Sequence, residues 1–287
     1  MSAEIQVVTH RGLEPSKPDF YSESSYEAFE DQLRRGFGIE FDYNLTSDRQ
    51  IVILHDSNLK RITEGVDERL IQALTVEELQ KIALKNGRIC LFSELAPLLQ
   101  VSSAKYHALH VKALHQNKAS LRLIVDTVTQ YPDLEAKLLL FDLSVESAVY
   151  IHELNPRLQL APSVAHPYDI KRYNSTVGGT LISPDEAISN RELFAGVWLD
   201  EWDLSDEAGG TKQFYTREVF QTFKNAGLLI GLVTPELHGT SPGLLGGEAH
   251  PDSKPLEQLL ERIQTIIALG PDIVCTDYPE EVRALLK

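Results

Sequence analysis

Short apolar runs rich in β-branched residues recur along the 287-residue chain, at residues 5–9, 38–42, 106–112, 137–142, 158–162, 196–200, 228–234 and 272–277. Between them lie stretches with helical periodicity, at residues 24–35, 75–84, 114–131, 145–154, 216–226 and 255–269. Within the second of these, Thr75 followed by Glu77 and Glu78 has the form of an N-cap with an acidic first turn. Strands alternating with helices need crossover connections and hence a parallel sheet. Eight such strands predict an α/β fold, a (β/α)8 TIM barrel, which at this length takes in the whole of residues 1–287 as one domain.

One run does not fit the alternation. Residues 51–55 follow the run at 38–42 after only a short polar link, too short for a parallel crossover. They are expected to form a hairpin-like excursion above the barrel, which brings His55 back over the strand carrying Glu40 and Asp42. The segment from Thr234 to Pro251, rich in Gly and Pro, reads as a loop over the barrel mouth, where lids sit.

A formal net charge of −15 argues against nucleic acid or an anionic membrane surface as the main partner. An anionic ligand would need a local positive centre, such as a divalent metal, Arg11 or Lys112. Cys90 and Cys275 sit in apolar runs and read as buried free thiols. With no leader-like start and no apolar run of about 20 residues, the chain is expected to be cytoplasmic, without a transmembrane segment. Oligomeric state is open.

Active sites of such barrels form at the C-terminal ends of the strands. His10, Glu40, Asp42, Asp142, Asp200 and Asp277 all fall at such ends. Glu40 and Asp42 alternate on one strand, so both face the same side, and a carboxylate pair of this kind suits Mg²⁺ or Ca²⁺. His10 and His55, once brought together, supply a base for an attacking oxygen and an acid for a leaving alkoxide. Arg11 can bind phosphate oxygens bidentately. Lys112 suits either phosphate or a neighbouring carboxylate. His107, His115, His152, His166 and His250 lack ligand spacing and are expected on the surface or in loops. Trp198 and Trp202 flank Asp200; core packing suits Trp198, and an aromatic wall beside an alcohol moiety is the alternative.

The ordered set His10-Arg11-Gly12, Glu40-Phe41-Asp42, His55-Asp56, Leu59-Lys60-Arg61-Ile62-Thr63, Leu74–Leu79 and Thr276-Asp277-Tyr278-Pro279 resembles the glycerophosphodiester phosphodiesterase family. The later segments point to a divergent branch of the same phospholipase-C-like phosphodiesterase superfamily. The resemblance implies that His10 and His55 are the catalytic pair and that Glu40 and Asp42 hold the metal. Three segments depart from the family pattern. Ser22-Glu23-Ser24-Ser25 stands for Pro-Glu-Asn-Thr, His110-Val111-Lys112 for Glu-x-Lys, and Val233-Thr234-Pro235-Glu236 for Trp-Thr-Val-Asn. The family's third metal ligand thus corresponds to His110, and imidazole matches transition metals better than Mg²⁺ or Ca²⁺. Asp142 or Asp200 could complete the shell instead.

The implied activity is metal-dependent hydrolysis of a small glycerophosphodiester to a phosphomonoester and an alcohol. Alternatives on the same site are a lyase that stops at a cyclic phosphate, an enzyme acting on a sugar phosphodiester, or a barrel that binds a phosphorylated ligand without turning it over.

Overall fold

A computed structural model describes residues 4–202, 204, 208–240 and 251–287; His250 and the stretch 241–250 of the expected lid loop lie outside them. The barrel strands are β1 (Gln6–His10), β2 (Gly38–Asp42), β3 (His107–His110), β4 (Leu138–Phe141), β5 in two pieces (Gln159–Leu160 and Ser163–Ala165), β6 (Gly196–Asp200), β7 (Leu229–Val233) and β8 (Ile273–Thr276). Every pairing among them is parallel, and β1 lies between β2 and β8. The first piece of β5 pairs with β4 and the second with β6, so the ring closes through β5 itself.

The break in β5 falls at Pro162, which has no N–H to give to a ladder. Pairing continues around it, with the Ala161 amide donating to the Leu140 carbonyl and the Trp198 amide to the Pro162 carbonyl, both at 2.9 Å. The expected strand at 158–162 therefore covers only the lower half, and Ser163–Ala165 carry β5 to the rim.

The core has two shells, as strand alternation requires. Phe41, Leu109 and Leu140 point outward to pack beneath helix residues such as Phe29 and Phe92. Val8, Ala108, Leu139, Trp198, Ile273 and Cys275 point inward and fill the barrel interior. On β7 a Cβ at Gly231 would lie 2.6 Å from the Trp198 ring, so the glycine makes room for the indole. The same alternation turns Glu40 and Asp42 inward, above this apolar plug. Both cysteines are buried free thiols, as expected.

Most expected helices form, the first over Tyr26–Arg34 with Ser25 as its N-cap. The one at 75–84 shrinks to Val76–Leu79, closed by a Thr75/Glu78 capping box, with Leu79 its one buried residue. Helices Phe92–Val101, Pro167–Val177, Pro184–Ser189 and Pro279–Leu285 were not expected; the last three begin on proline. At the first helical position proline forfeits no hydrogen bond.

The excursion is a hairpin, as the short link implied. Asn44–Leu45 and Ile51–Ile53 pair antiparallel, and Cys90–Leu91 adds a third strand that periodicity did not reveal. It has its own small core of Val52, Leu54, Leu59, Ile71, Leu74 and Leu79. Among the described residues no helix is long and apolar enough to cross a membrane.

Candidate active site

Parallel register sets the height of each rim residue. His10 lies beside Glu40, while Asp42 lies beside His110 and His110 beside Phe141. A cavity of about 140 Å³ sits among them, and His10, Arg11, Glu40, His55 and His110 all line it. The fold thus brings the two histidines and the carboxylate pair to one place.

After His10 the chain turns through Arg11 and Gly12, both left-handed, with φ of 53° and 71°. A non-glycine residue there stores about 1–3 kcal/mol of strain, which the surrounding structure must hold. The Arg11 amide donates to the Glu40 carbonyl at 3.0 Å and the Arg11 carbonyl accepts from the Ser24 amide at 2.8 Å. This sets the guanidinium against Asp42, Nε to Oδ2 at 3.3 Å.

Asp42 is the hub of the site. His110 Nδ1 lies 2.9 Å and Lys112 Nζ 3.1 Å from its Oδ1. Lys112 also donates to the His55 carbonyl, tying the excursion to the barrel. Lys112 is therefore ion-paired to a carboxylate, one of its two expected roles. Asn44 clamps the same turn, its Nδ2 donating to the carbonyls of Leu54 at 2.7 Å and Asp56 at 2.9 Å. His55 Nδ1 meets Asp56 Oδ1 at 2.6 Å. Arg61 grips Asp56 with Nε and Nη2 and reaches Glu23 at 2.6 Å.

His10 Nδ1 contacts Asp277 Oδ1 at 2.8 Å, a pairing across β1 and β8 that sequence reasoning did not assign. Beneath Asp277, Glu236 Oε1 accepts from Thr234 Oγ1, Thr276 Oγ1 and the Asp277 amide at 2.7, 2.6 and 3.1 Å.

Burial and charge set the protonation states. Burial raises Asp277 and Glu236, each reinforced by a nearby carboxylate. Burial, then Arg11, holds His10 well below its usual value, and burial brings His55 down to about 4. Burial opposes ionisation of Asp42, but Lys112, His55, His110 and Arg11 outweigh it and hold this carboxyl well below the usual range. Glu40, buried beside ionised Asp42, is pushed up. His110 is pushed up to about 9, because Asp142 and Asp42 overcome its desolvation.

Glu40, Asp42 and His110 can direct ligand atoms to within 4.8 Å of one another, the one such group among the described residues. Glu40 Oε2 is buried with no hydrogen-bond partner among the described residues, as an oxygen meant for a cation would be. The donor set therefore fits a divalent ion. His110 must first give up its proton, since Asp42 holds Nδ1 and Asp142 Oδ2 holds Nε2 at 3.1 Å. Asp142 acts on the ring of His110 rather than as a member of the group. Asp200 lines the far wall of the cavity.

Two minor expectations are corrected. His107 and His115 are buried, not on the surface. His107 Nδ1 accepts from the Ile39 amide and Nε2 meets Ser102 Oγ at 3.0 Å. His115 stacks on Tyr43 with ring centres 4.6 Å apart. His166 caps the helix Pro167–Val177, and His152 ends the helix Val145–Leu154. Trp198 is core, stacked on Phe141 at 4.3 Å.

This fold and site define a TIM barrel with two histidines and a pair of carboxylates gathered at the C-terminal rim. Residues 10–281 match the Glycerophosphoryl diester phosphodiesterase family, and the chain belongs to it. It is similar to a glycerophosphodiester phosphodiesterase of Caldanaerobacter subterraneus subsp. tengcongensis, 35% identical over 77 residues, 26% of this chain and 29% of that protein. A glycerophosphodiester phosphodiesterase of Bacillus altitudinis is 26% identical over 165 residues, 54% of this chain and 65% of that protein. The chain thus spans between 29% and 65% of the length of the curated relatives it matches.

Solved structures agree over the whole barrel. A Parabacteroides distasonis glycerophosphoryl diester phosphodiesterase superposes with a TM-score of 0.68 at 22% identity, over 99% of this chain and 87% of that one. An Oleispira antarctica phosphodiesterase, solved with the product sn-glycerol-3-phosphate, gives 0.66 at 17% identity, over 98% and 96%. At these identities the likeness shows the fold.

Proposed function

We propose that this chain hydrolyses a small phosphodiester of the glycerophosphodiester type, releasing a phosphomonoester and an alcohol. The observation that carries this reading is that His10, His55, Arg11, Glu40 and His110 all line a single cavity, with Asp42 grouped beside Glu40 and His110.

Mg²⁺ or Ca²⁺ would be held by Glu40 and Asp42, with His110 as third ligand once deprotonated; when bound it supplies positive charge to a phosphate oxygen and acidifies an attacking hydroxyl. Arg11 binds the remaining phosphate oxygens and offsets the charge that grows on them. Lys112 neutralises Asp42 and holds the excursion that carries His55.

The hydrogen-bond network distinguishes the two imidazoles. Asp56 is held well below the usual carboxylate range: burial opposes its ionisation but is outweighed by hydrogen bonds from His55 and Arg61. An ionised Asp56 accepts from Nδ1–H of His55, which leaves Nε2 of His55 bare to act as base. Asp277, raised by burial, carries a proton more readily and donates it to Nδ1 of His10. His10 then bears its own proton on Nε2 and gives it to the leaving alkoxide as Nδ1 takes the proton from Asp277.

The test is turnover of glycerophosphodiesters with Mg²⁺, Ca²⁺ and Mn²⁺, beside His10→Ala and His55→Ala. Activity that needs a divalent ion and falls in both variants supports the reading. Metal-independent activity, or activity unchanged in both variants, overturns it. Phosphorus NMR of the product separates hydrolysis from cyclic-phosphate formation. Binding of a phosphorylated ligand without turnover under any ion would mark a non-catalytic barrel.

A further inference from the structure

Glu236 takes no part in the chemistry above, yet it is buried against the main chain of Asp277. Its two oxygens have unlike surroundings. Oε1 meets Thr234 Oγ1, Thr276 Oγ1 and the Asp277 amide. Oε2 is buried with no hydrogen-bond partner among the described residues. An ionised carboxylate there would leave half its charge bare in the interior, which is costly.

The protons around Thr234 point the same way. Its one hydroxyl proton lies between two oxygens, the Cys275 carbonyl at 2.8 Å and Glu236 Oε1 at 2.7 Å. A carbonyl oxygen can only accept. With Glu236 ionised, one of these two short contacts would set lone pair against lone pair. A proton on Oε1 removes the conflict: Thr234 donates to Cys275, and the contact that an ionised Glu236 would accept is donated by Glu236. Thr276 Oγ1, which accepts from the Tyr278 amide at 3.0 Å, gives its own proton to Glu236. Burial and Asp277 act in the same direction, raising the Glu236 carboxyl to about 7. The titratable groups that feel it are Asp277, Cys275 and Tyr278, on β8 and the turn after it. Arg11 and Glu23 act on Asp277 in turn.

In the proposed reaction His10 gives its Nε2 proton to the leaving alkoxide and takes one on Nδ1 from Asp277, which ends as an anion. A second anion on the same turn would oppose that transfer, and a neutral acid does not. We propose that Glu236 is a positioning residue, held as a neutral carboxylic acid, that pins the Asp277 main chain beside His10 and lets Asp277 take up negative charge. This rests on the phosphodiesterase reading, with His10 as the acid.

Infrared difference spectra of the full chain against Glu236→Gln, recorded without divalent ions, read the proton directly. They are taken at about pH 6, where an ordinary glutamate is almost wholly ionised. The expected difference is the carbonyl band of a carboxylic acid, shifted in heavy water. Carboxylate bands in its place overturn the proposal.

Leaving groups read the positioning. A p-nitrophenolate departs without an acid, whereas the alkoxide of glycerol needs one. Glu236→Leu is expected to lower kcat for the bis-glycerol phosphodiester by about tenfold or more, and for p-nitrophenyl glycerol phosphodiester by less than about threefold. Glu236→Gln, neutral and still able to accept from the Asp277 amide, restores the former to within about threefold of the parent chain. Equal losses on both esters, or a Gln variant as impaired as Leu, overturn the proposal. If Glu236→Leu does not fold, the infrared band and Glu236→Gln still decide. A parent chain that turns over neither ester sinks the phosphodiesterase reading instead, and the infrared band then decides whether Glu236 is neutral.

Discussion

With His110 as the proposed third ligand, in the place of the family's acidic one, ion binding should depend on pH in a way that can be worked out. His110 lies between Asp42 and Asp142, its Nδ1 2.9 Å from one and its Nε2 3.1 Å from the other. Those carboxylates raise it to about 9 against the cost of desolvation. At pH 7 it is therefore about two pH units below its midpoint and almost wholly protonated, and an imidazolium cannot be a ligand. Displacing that proton weakens the apparent affinity by about 100-fold, or ~2.7 kcal/mol. Affinity should thus rise about tenfold per pH unit from pH 7 and level off near pH 9. Glu40, whose affinity for a proton is also raised, adds to the rise. Calorimetry at several pH values, in buffers of differing ionisation enthalpy, reads both the slope and the protons released. His110→Gln keeps a hydrogen-bonding group beside Asp142 but cannot titrate, so its slope should fall by one proton. An affinity independent of pH between 7 and 9, or a slope unchanged in His110→Gln, would refute the reasoning.

His10→Ala and His55→Ala should each lower kcat by about 10²- to 10⁴-fold in steady-state assays, with much smaller changes in KM. Asp277→Asn is expected to lower kcat by about 10²-fold or more, because an amide can hold Nδ1 of His10 but cannot pass it a proton. A loss of less than about tenfold would show that Asp277 only orients His10 and passes it no proton. Gly38→Ala should destabilise the barrel by at least ~1–3 kcal/mol in chemical denaturation, since its Cβ would lie 2.2 Å from the Tyr106 carbonyl oxygen. Arg11→Lys loses the planar fork and should raise KM or lower kcat by about tenfold or more, while Tm changes little.

What could be read from the chain was whatever depends on local period. A period of 2 turned Glu40 and Asp42 to one face and Phe41 to the other, and the short link after Asp42 required a hairpin; the structure has both. Pairings across the ring had no local signal. His10 meets Asp277 at a separation of 267 residues only because β1 and β8 close the barrel side by side. His107 looked like a surface residue because its partner, the Ile39 amide, lies 68 residues away on a neighbouring strand. Helices beginning at Pro167, Pro184 and Pro279 were not read from the chain, although proline is tolerated at the first turn and the stretch starting at Pro255 was read as helical.

Closure of the ring also resolves how a chain of net charge −15 can accept an anion. The overall charge sets a repulsive far field, which salt screens within about 8–10 Å. The near field belongs to Arg11, Lys112 and His110, all of which contact Asp42. With Asp42 ionised and Glu40 protonated, these three cations face one carboxylate charge. Asp142 on the outer side of His110 brings the sum nearer to neutral. A phosphodiester carries a single negative charge, which such a surplus can bind. A divalent ion with Glu40 ionised and His110 neutral keeps the local sum about the same, because one proton leaves each of them as two charges arrive. The pocket can thus remain attractive to phosphate with the ion bound, and the cost of exchange is carried by protons rather than by the ligand.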